Sequence, residues 1–310
     1  MISRREMLII FSCLMVLGDL FEVTAIASTN CVGQIAVELG QDQKLEFVRI
    51  LDLDAWAGKF EVTNGQYRRF RSNHDSGSYK GFDMNQPNQP VVRVSWEDAL
   101  MFCKWLNSTH GKSMPAGYVC GLPSEKEWES CARCDDGRES PWPEKWPDQP
   151  LPPRKFYNMV HMPLNVHWWN NRTYPWGQDW PPPASWRLFP PPDNWNYAGE
   201  ECARKCVQPF SGHNDDYPVT CSVAKSGMND CGLYGMGGNV WEWCDDWYDV
   251  TNRQYRVVRG GAWDTGFRNG APPKYRAIYT VYLRSGGLPE EEADDVGFRL
   301  MLKKGTEPKQ

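Results

Sequence analysis

The chain has 310 residues, of which 41% are hydrophobic and 24% charged, and its formal net charge is -5. This composition is ordinary for a globular protein, and the length allows one large domain or two of ordinary size. The negative net charge and the lack of a long basic cluster argue against a nucleic-acid-binding protein.

Residues 1–27 have the pattern of an export signal. Arg4 and Arg5 precede an apolar run over 7–17, and Ala25-Ile26-Ala27 supplies small residues for cleavage. The apolar run is about half as long as a membrane-spanning helix, so no membrane span is expected after signal removal. The paired arginines fit a twin-arginine signal or an ordinary secretion signal. We expect a mature domain over 28–310 in the periplasm or outside the cell.

Three short helices are predicted over 64–70, 96–106 and 125–128. Each follows a Ser or Thr N-cap with a side chain three residues later that can complete a capping box. The pairs are Thr63 with Gln66, Ser95 with Asp98, and Ser124 with Glu127.

The segment 135–195 differs in composition from the rest of the chain. It holds more than half of the 24 prolines and half of the 16 tryptophans. Prolines at this density exclude a regular helix or a central strand, whereas the tryptophans predict that the segment packs on the body of the protein. A surface that stacks on sugars is the alternative interpretation, with Trp142, Trp176 and Trp180 as its candidate binding residues.

Short strands are predicted over 239–244, 255–259, 276–284 and 296–302. In the first, Trp241 and Trp243 alternate with Glu242, which predicts a half-buried strand with the rings in the core and the glutamate outward. Sparse elements joined by long loops predict one compact α+β domain.

Eleven cysteines occur in the chain, one of them in the signal segment. The even number that remains is compatible with disulfides in an exported protein. Zinc ligation is the alternative for the pairs Cys131/Cys134 and Cys202/Cys206. Sequence alone leaves the pairing open.

An ordered set of motifs resembles the formylglycine-generating enzyme family, also called the sulfatase-modifying factor family. The motifs span about 47–302 and comprise Phe60-Glu61-Val62-Thr63-Asn64, 90–96, 122–129, 174–177, Asn196-Tyr197-Ala198, 232–234, 238–243, 259–263 and Gly297-Phe298-Arg299. The resemblance implies a variant of the C-type lectin fold. It also implies oxidation of a sulfatase cysteine to formylglycine with copper(I) and oxygen.

This chain departs from the family at the copper site. Thr265 stands where the first active-site cysteine is expected, the second is expected near Gly270, and no cysteine follows Cys244. Copper(I) is a soft ion that requires thiolates, so bound copper is not expected. Trp241, which lines the family's pocket, would then be pocket wall without a metal.

The resemblance also implies two structural calcium sites. The first would use the Asn196 and Asp215 side chains and the Tyr197 and Tyr217 carbonyls, all hard oxygen donors that suit calcium. An Asx-turn asparagine and a solvated aspartate are the alternative.

The second calcium site would use the Gly238 and Val240 carbonyls with Glu242. Its remaining side-chain ligand falls at Gly235, which has no donor. A related branch of the superfamily uses iron(II), but the five histidines show no paired spacing, so no iron triad is expected.

The sequence therefore predicts an exported, noncatalytic, calcium-stabilised domain. Its tryptophan-rich surface would bind a glycan or a protein partner, with a sulfatase as one candidate. The alternative is a formylglycine-generating oxidoreductase that uses other thiols, such as Cys231 or Cys244. A purely structural envelope protein is a third hypothesis.

Overall fold

The computed structural model describes residues 31–134, 175, 195–204, 213–265, 281 and 284–305. Three helices lie within these ranges: α1 (Asn64–Tyr67), α2 (Trp96–His110) and α3 (Glu125–Arg133). The strands are β1 (Cys31–Gly40), β2 (Gln43–Ile50), β3 (Ala55–Gly58), β4 (Ser78–Tyr79), β5 (Phe82–Asp83), β6 (Tyr118–Gly121), β7 (Trp241–Trp247), β8 (Arg256–Arg259), β9 (Arg284–Gly287), β10 (Val296–Gly297) and β11 (Met301–Lys304).

All three predicted capping boxes are confirmed. The Ser95 side chain accepts from the backbone N–H of Asp98, and Thr63 and Ser124 do the same in their helices. Helix α1 is shorter than predicted because Phe70 N–H bonds to Tyr67 O, three residues back, and the chain tightens out of α-helical geometry. Helices α2 and α3 run further than the caps alone predicted.

A five-stranded sheet of order β1-β2-β3-β11-β6 brings the two ends of the described chain together. Strand β11 pairs antiparallel with both β3 and β6, so the last strand lies between two early ones. The single strand predicted over 296–302 is two short strands in the structure, β10 and the start of β11, and the strands β1, β2, β3 and β6 were not predicted.

The second sheet has the order β10-β7-β8-β9, and β10 pairs with β7 in parallel. The first four residues of β7, 241–244, are buried on both faces, so the prediction of a half-buried strand is wrong for this part. On one face Trp243 Nε1 donates to Val94 O at 3.0 Å, and on the other Trp128 of α3 donates to Glu242. Packing on both sides of β7 removes the solvent-facing surface that simple alternation implies.

Two apolar clusters fill the interior, and each takes residues from both sheets and from the helices, as expected for one compact α+β domain. In the first cluster the Tyr67 ring of α1 stacks on the Phe102 ring of α2, and both meet Phe298 edge-on. A disulfide joins Cys31 at the start of β1 to Cys231 in the loop before β7. Within the described ranges, no helix has the length and hydropathy needed to cross a bilayer.

Candidate functional site

Glu242 lies in the interior of the domain, at the point where the two sheets meet. Arg299 Nη2 donates to its Oε1 at 2.6 Å and Arg299 Nε to its Oε2 at 2.7 Å. Trp128 Nε1 donates to the same Oε2 at 2.6 Å. Both glutamate and arginine are almost completely buried. The expectation of an outward-facing Glu242 is therefore wrong, because Arg299 supplies the charge that allows the carboxylate to be buried.

A second carboxyl group, that of Glu61, lies beside this ion pair. Its Oε1 accepts from Asn239 Nδ2 at 3.0 Å, while its Oε2 has no hydrogen-bond partner among the described residues. Burial and the negative charge of Glu242 raise the pKa of Glu61 to about 8. Sequence reasoning missed this residue as a site residue, although it lies in one of the family motifs.

Gly235 is where the family pattern places a side-chain ligand, and here Glu61 takes up that space. A Cβ at this glycine would lie 2.3 Å from Glu61 Oε1. The predicted second calcium site then consists of the Gly238 and Val240 carbonyls and a Glu242 already neutralised by Arg299. This donor set does not fit a calcium ion, which binds carboxylates that carry uncompensated charge.

The predicted residues of the first calcium site do come together. Asp215 Oδ2 accepts from Tyr197 N–H at 3.1 Å, and its Oδ1 accepts from Tyr217 N–H at 2.9 Å. Asn196 Nδ2 donates to Val219 O at 2.8 Å, whereas its buried Oδ1 has no hydrogen-bond partner in the part of the chain that the structure describes.

The chemistry of these donors fits a calcium ion. Asp215 and Asn196 are about 1% and 0% exposed, so the solvated-aspartate alternative does not describe them. Burial raises the pKa of Asp215 because its charge is removed from water. A carboxylate and an unsatisfied amide oxygen are hard oxygen ligands of the kind that calcium prefers, whereas Tyr197 O already accepts from Gly199 N–H at 2.7 Å.

Thr265 is held in a tight turn next to this site. Its Oγ1 accepts from Ala262 N–H at 2.8 Å, and its carbonyl accepts from Ala198 N–H at 3.3 Å. Asp264, the preceding residue, is 2.9 Å from Arg204 Nε. The position expected for the first active-site cysteine therefore carries a hydroxyl that already bonds its own loop. Gly270 lies outside the described residues.

Residues 48–304 match the model of the family described as "Sulfatase-modifying factor enzyme 1-like domain". The chain belongs to the sulfatase-modifying factor family.

Two relatives place this member within the sulfatase-modifying factor family. The "Inactive C-alpha-formylglycine-generating enzyme 2" of Bos taurus is 32% identical over 221 residues, which cover 71% of this chain and 52% of that protein. The "Formylglycine-generating enzyme" of Streptomyces coelicolor is 26% identical over 228 residues, covering 69% of this chain and 52% of that protein. The chain thus matches about half the length of these relatives.

Among solved structures, "Treponema denticola variable protein 1" has a similar fold. It superposes with a TM-score of 0.50 and 18% identity, covering 88% of this chain and 99% of that one. At this level of identity the likeness concerns the fold alone.

The candidate binding tryptophans of this sulfatase-modifying factor domain fall into two groups. Trp241 is only 5% exposed and packs in the core, where its ring is not available as an open stacking surface. Trp142, Trp176 and Trp180 lie outside the described residues, and their role stays a prediction.

Cys231 and Cys244, the thiols considered for an alternative redox centre, are not available for redox chemistry in this chain. Cys231 is bonded to Cys31, and Cys244 is completely buried. Burial raises the pKa of the Cys244 thiol well above its ordinary value, so it does not provide a thiolate at neutral pH. Within the described ranges, no group of three or more His, Cys, Asp or Glu side chains has an arrangement that could hold a metal ion.

Proposed function

We propose that this chain is an exported, noncatalytic member of the sulfatase-modifying factor family. In this proposal calcium stabilises the domain, and the tryptophan-rich segment 135–195 binds a glycan or a protein partner. The observation that carries it is Thr265, whose hydroxyl stands in place of a thiol and bonds to Ala262 N–H. The name of the bovine relative, an inactive formylglycine-generating enzyme, supports the same conclusion.

Copper(I) chemistry needs a pair of accessible thiolates. Among the described residues the Cys202 thiol lies near Thr265, 3.8 Å from Trp263 O, but it is buried. No cysteine follows Cys244 in the sequence. The thiol of Cys221, which contacts Asn196 in the neighbouring loop, is buried, and burial raises its pKa well above the ordinary value. A hydroxyl cannot replace a soft thiolate ligand.

Calcium would have a structural role in this proposal. Asn196 and Asp215 belong to two separate loops, and an ion held between them would fix one loop against the other. In a domain with few helices and strands, binding of this ion would offset part of the conformational entropy that the long loops lose on folding.

Partner binding is assigned to the segment 135–195 because the core uses Trp241 for packing. Tryptophans combine a large apolar face with an N–H donor, which suits them to sugar or protein surfaces. The disulfide between Cys31 and Cys231 supports the export part of the proposal, since such bonds persist in oxidising compartments.

A binding experiment tests the partner assignment. The purified full-length mature chain is applied to a glycan array and to pull-downs from its own periplasmic or secreted fraction. A variant with Trp142→Ala, Trp176→Ala and Trp180→Ala should lose the ligand, whereas Trp168→Ala, in the same segment but outside its two Pro-Trp repeats, should keep it. Full binding by the triple variant contradicts the proposed surface.

A mass-spectrometric assay tests the noncatalytic assignment. Copper-loaded protein is incubated under oxygen with a peptide that contains Cys-x-Pro-x-Arg, and a competent formylglycine-generating enzyme is the positive control. The proposal predicts an unchanged peptide mass. Conversion of the cysteine by this chain would establish the alternative, a formylglycine-generating oxidoreductase.

A further inference from the structure

Two loops lie side by side around Asp215. Glu200 N–H donates to His213 O at 2.9 Å, and Ala203 N–H donates to Pro218 O at 2.8 Å. Together with the bond from Tyr197 N–H to Asp215 Oδ2, these contacts align the segment 197–203 with the segment 213–218. Glu201 therefore lies against Asp215 although 14 positions separate the two residues in the sequence.

The Glu201 carboxylate is folded back into this space. Its Oε1 accepts from Gly199 N–H at 3.1 Å, whereas its Oε2 is buried and has no hydrogen-bond partner among the described residues. A Cβ at position 199 would lie 2.3 Å from Oε2. Only glycine at this position leaves room for the carboxylate, so the local sequence is compatible with an inward-facing Glu201.

The two carboxylates repel each other in this arrangement. The charge of Asp215 acts on the Glu201 carboxyl group, as expected for two acidic side chains on loops that lie side by side. His213 Nε2 is 3.5 Å from Asp215 Oδ2. Asp215 is buried and Glu201 is half-buried, and two neighbouring carboxylates in such surroundings are costly unless a cation compensates their charge.

An independent observation points to a ligand at the same place. Asn196 is completely buried and its Oδ1 lacks a hydrogen-bond partner among the described residues, although its Nδ2 is satisfied. Buried amide oxygens are rarely left without a donor or a cation. Two unsatisfied buried oxygens, Asn196 Oδ1 and Glu201 Oε2, thus belong to the one loop whose Tyr197 N–H bonds to Asp215.

We propose that Glu201 is a further ligand of the calcium ion expected at Asn196 and Asp215, supplying the second carboxylate of that site. This inference rests on the calcium part of the proposed function. With the Tyr197 and Tyr217 carbonyls the protein would provide five oxygen donors, and water would complete the six to eight that calcium takes. A second carboxylate strengthens calcium binding because affinity rises with the number of charged ligands.

Calcium titration of the full-length mature chain tests this role. The protein is first stripped with a chelator, and calcium chloride alone is the probe in calorimetry and in thermal unfolding. Glu201→Gln should raise the dissociation constant for calcium by about tenfold or more and reduce the calcium-dependent rise in Tm. Glu200→Gln is the matched control, since Glu200 is the exposed neighbour of Glu201 and should leave calcium binding unchanged.

The outcomes separate the two claims. If the wild-type chain binds calcium and Glu201→Gln binds it with the same dissociation constant, the role of Glu201 is overturned and the calcium site stands. Failure of the wild-type chain to bind calcium would remove the site and the inference together. The Tm of Glu201→Gln without calcium should equal or exceed that of the wild type, because carboxylate repulsion is removed; this shows that weaker binding does not come from misfolding.

Discussion

Arg299 and Glu242 form a bidentate ion pair that is shielded from solvent on all sides. The two N–O distances are 2.6 and 2.7 Å, and each side chain is about 1% exposed or less. Arg299 also donates to Gly58 O at 2.9 Å and to Tyr234 O at 2.6 Å. One guanidinium therefore connects β7, β3 and the loop before β7, and we expect it to be a main determinant of stability.

Removal of one member of this pair should be strongly destabilising. Arg299→Met leaves a buried, unpaired carboxylate and should lower the free energy of unfolding by about 3–5 kcal/mol, measured by urea denaturation. The double variant Glu242→Met/Arg299→Met should be more stable than the single one, because no uncompensated charge remains.

The control for this prediction is the more exposed ion pair between Lys44 and Glu46. Its N–O distance is 2.7 Å, but the lysine side chain is 53% exposed. Lys44→Gln should change the free energy of unfolding far less than Arg299→Met does, because solvent screens this pair. Equal losses in Lys44→Gln and Arg299→Met would contradict the assignment.

Glu61 should make the stability of the calcium-free protein depend on pH. Its pKa is raised from 4.5 to about 8 in the folded state, so the folded protein holds a proton that the unfolded chain releases. The stabilisation of the fold by this retained proton is fully present below about pH 4.5 and is lost as the pH rises through about 8. Glu61→Gln should remove this part of the pH dependence and be relatively more stable above pH 8.

Urea denaturation of both proteins between pH 5 and pH 9 measures the difference. Glu97→Gln, an exposed change in the first turn of α2, should keep the wild-type profile. Parallel profiles for wild type and Glu61→Gln would show that this carboxyl group is not protonated in the folded state.

Gly235 should tolerate a side chain poorly because Glu61 fills the adjacent space. Its φ is +65°, and a Cβ would lie 2.3 Å from Glu61 Oε1. Gly81 is a matched control with φ +88° and no atom within 4 Å of the added Cβ. Both substitutions to alanine should cost about 1–3 kcal/mol from backbone strain, but Gly235→Ala should cost more by the contact with Glu61.

The double variant Glu61→Ala/Gly235→Ala separates crowding from strain. It should lose less stability than the sum of its single variants, since removing the carboxylate makes room for the new methyl group. Additive losses would show that the two positions do not interact.

The disulfide between Cys31 and Cys231 should contribute strongly to stability. It joins residues 200 positions apart, and in the loop-entropy description it stabilises the fold by up to about 5 kcal/mol. The Cys31→Ser/Cys231→Ser variant should have a lower Tm than the wild type. Reductant should lower the Tm of the wild type and leave that of the variant unchanged; an unaffected wild type would indicate that the bond does not form.

Much of the local structure and the family could be predicted from the sequence. The capping boxes at Thr63, Ser95 and Ser124 are short-range signals, and each is present in the structure. The order of the family motifs predicted the fold. Thr265 in place of a cysteine predicts that copper is not bound, which stays a prediction. These conclusions need only residue identities and spacings of a few positions.

The early strands and the surroundings of the acidic residues could not be predicted in this way. Alternation in β7 indicated an outward Glu242, but packing of α3 and Arg299 encloses it. Likewise, the sequence identifies Glu61 only as part of a motif, and its position against Gly235 arises from the folded structure.

The sequence by itself determined the family, the helix starts and the missing thiols, because neighbouring residues or their order carry those signals. Only the tertiary structure decided which carboxylates lie against an arginine and which lie near a second carboxylate. Glu242 finds Arg299 57 positions away, whereas Glu201 meets Asp215 across two loops. Charge compensation depends on distances and burial in the folded chain, and no local pattern specifies these.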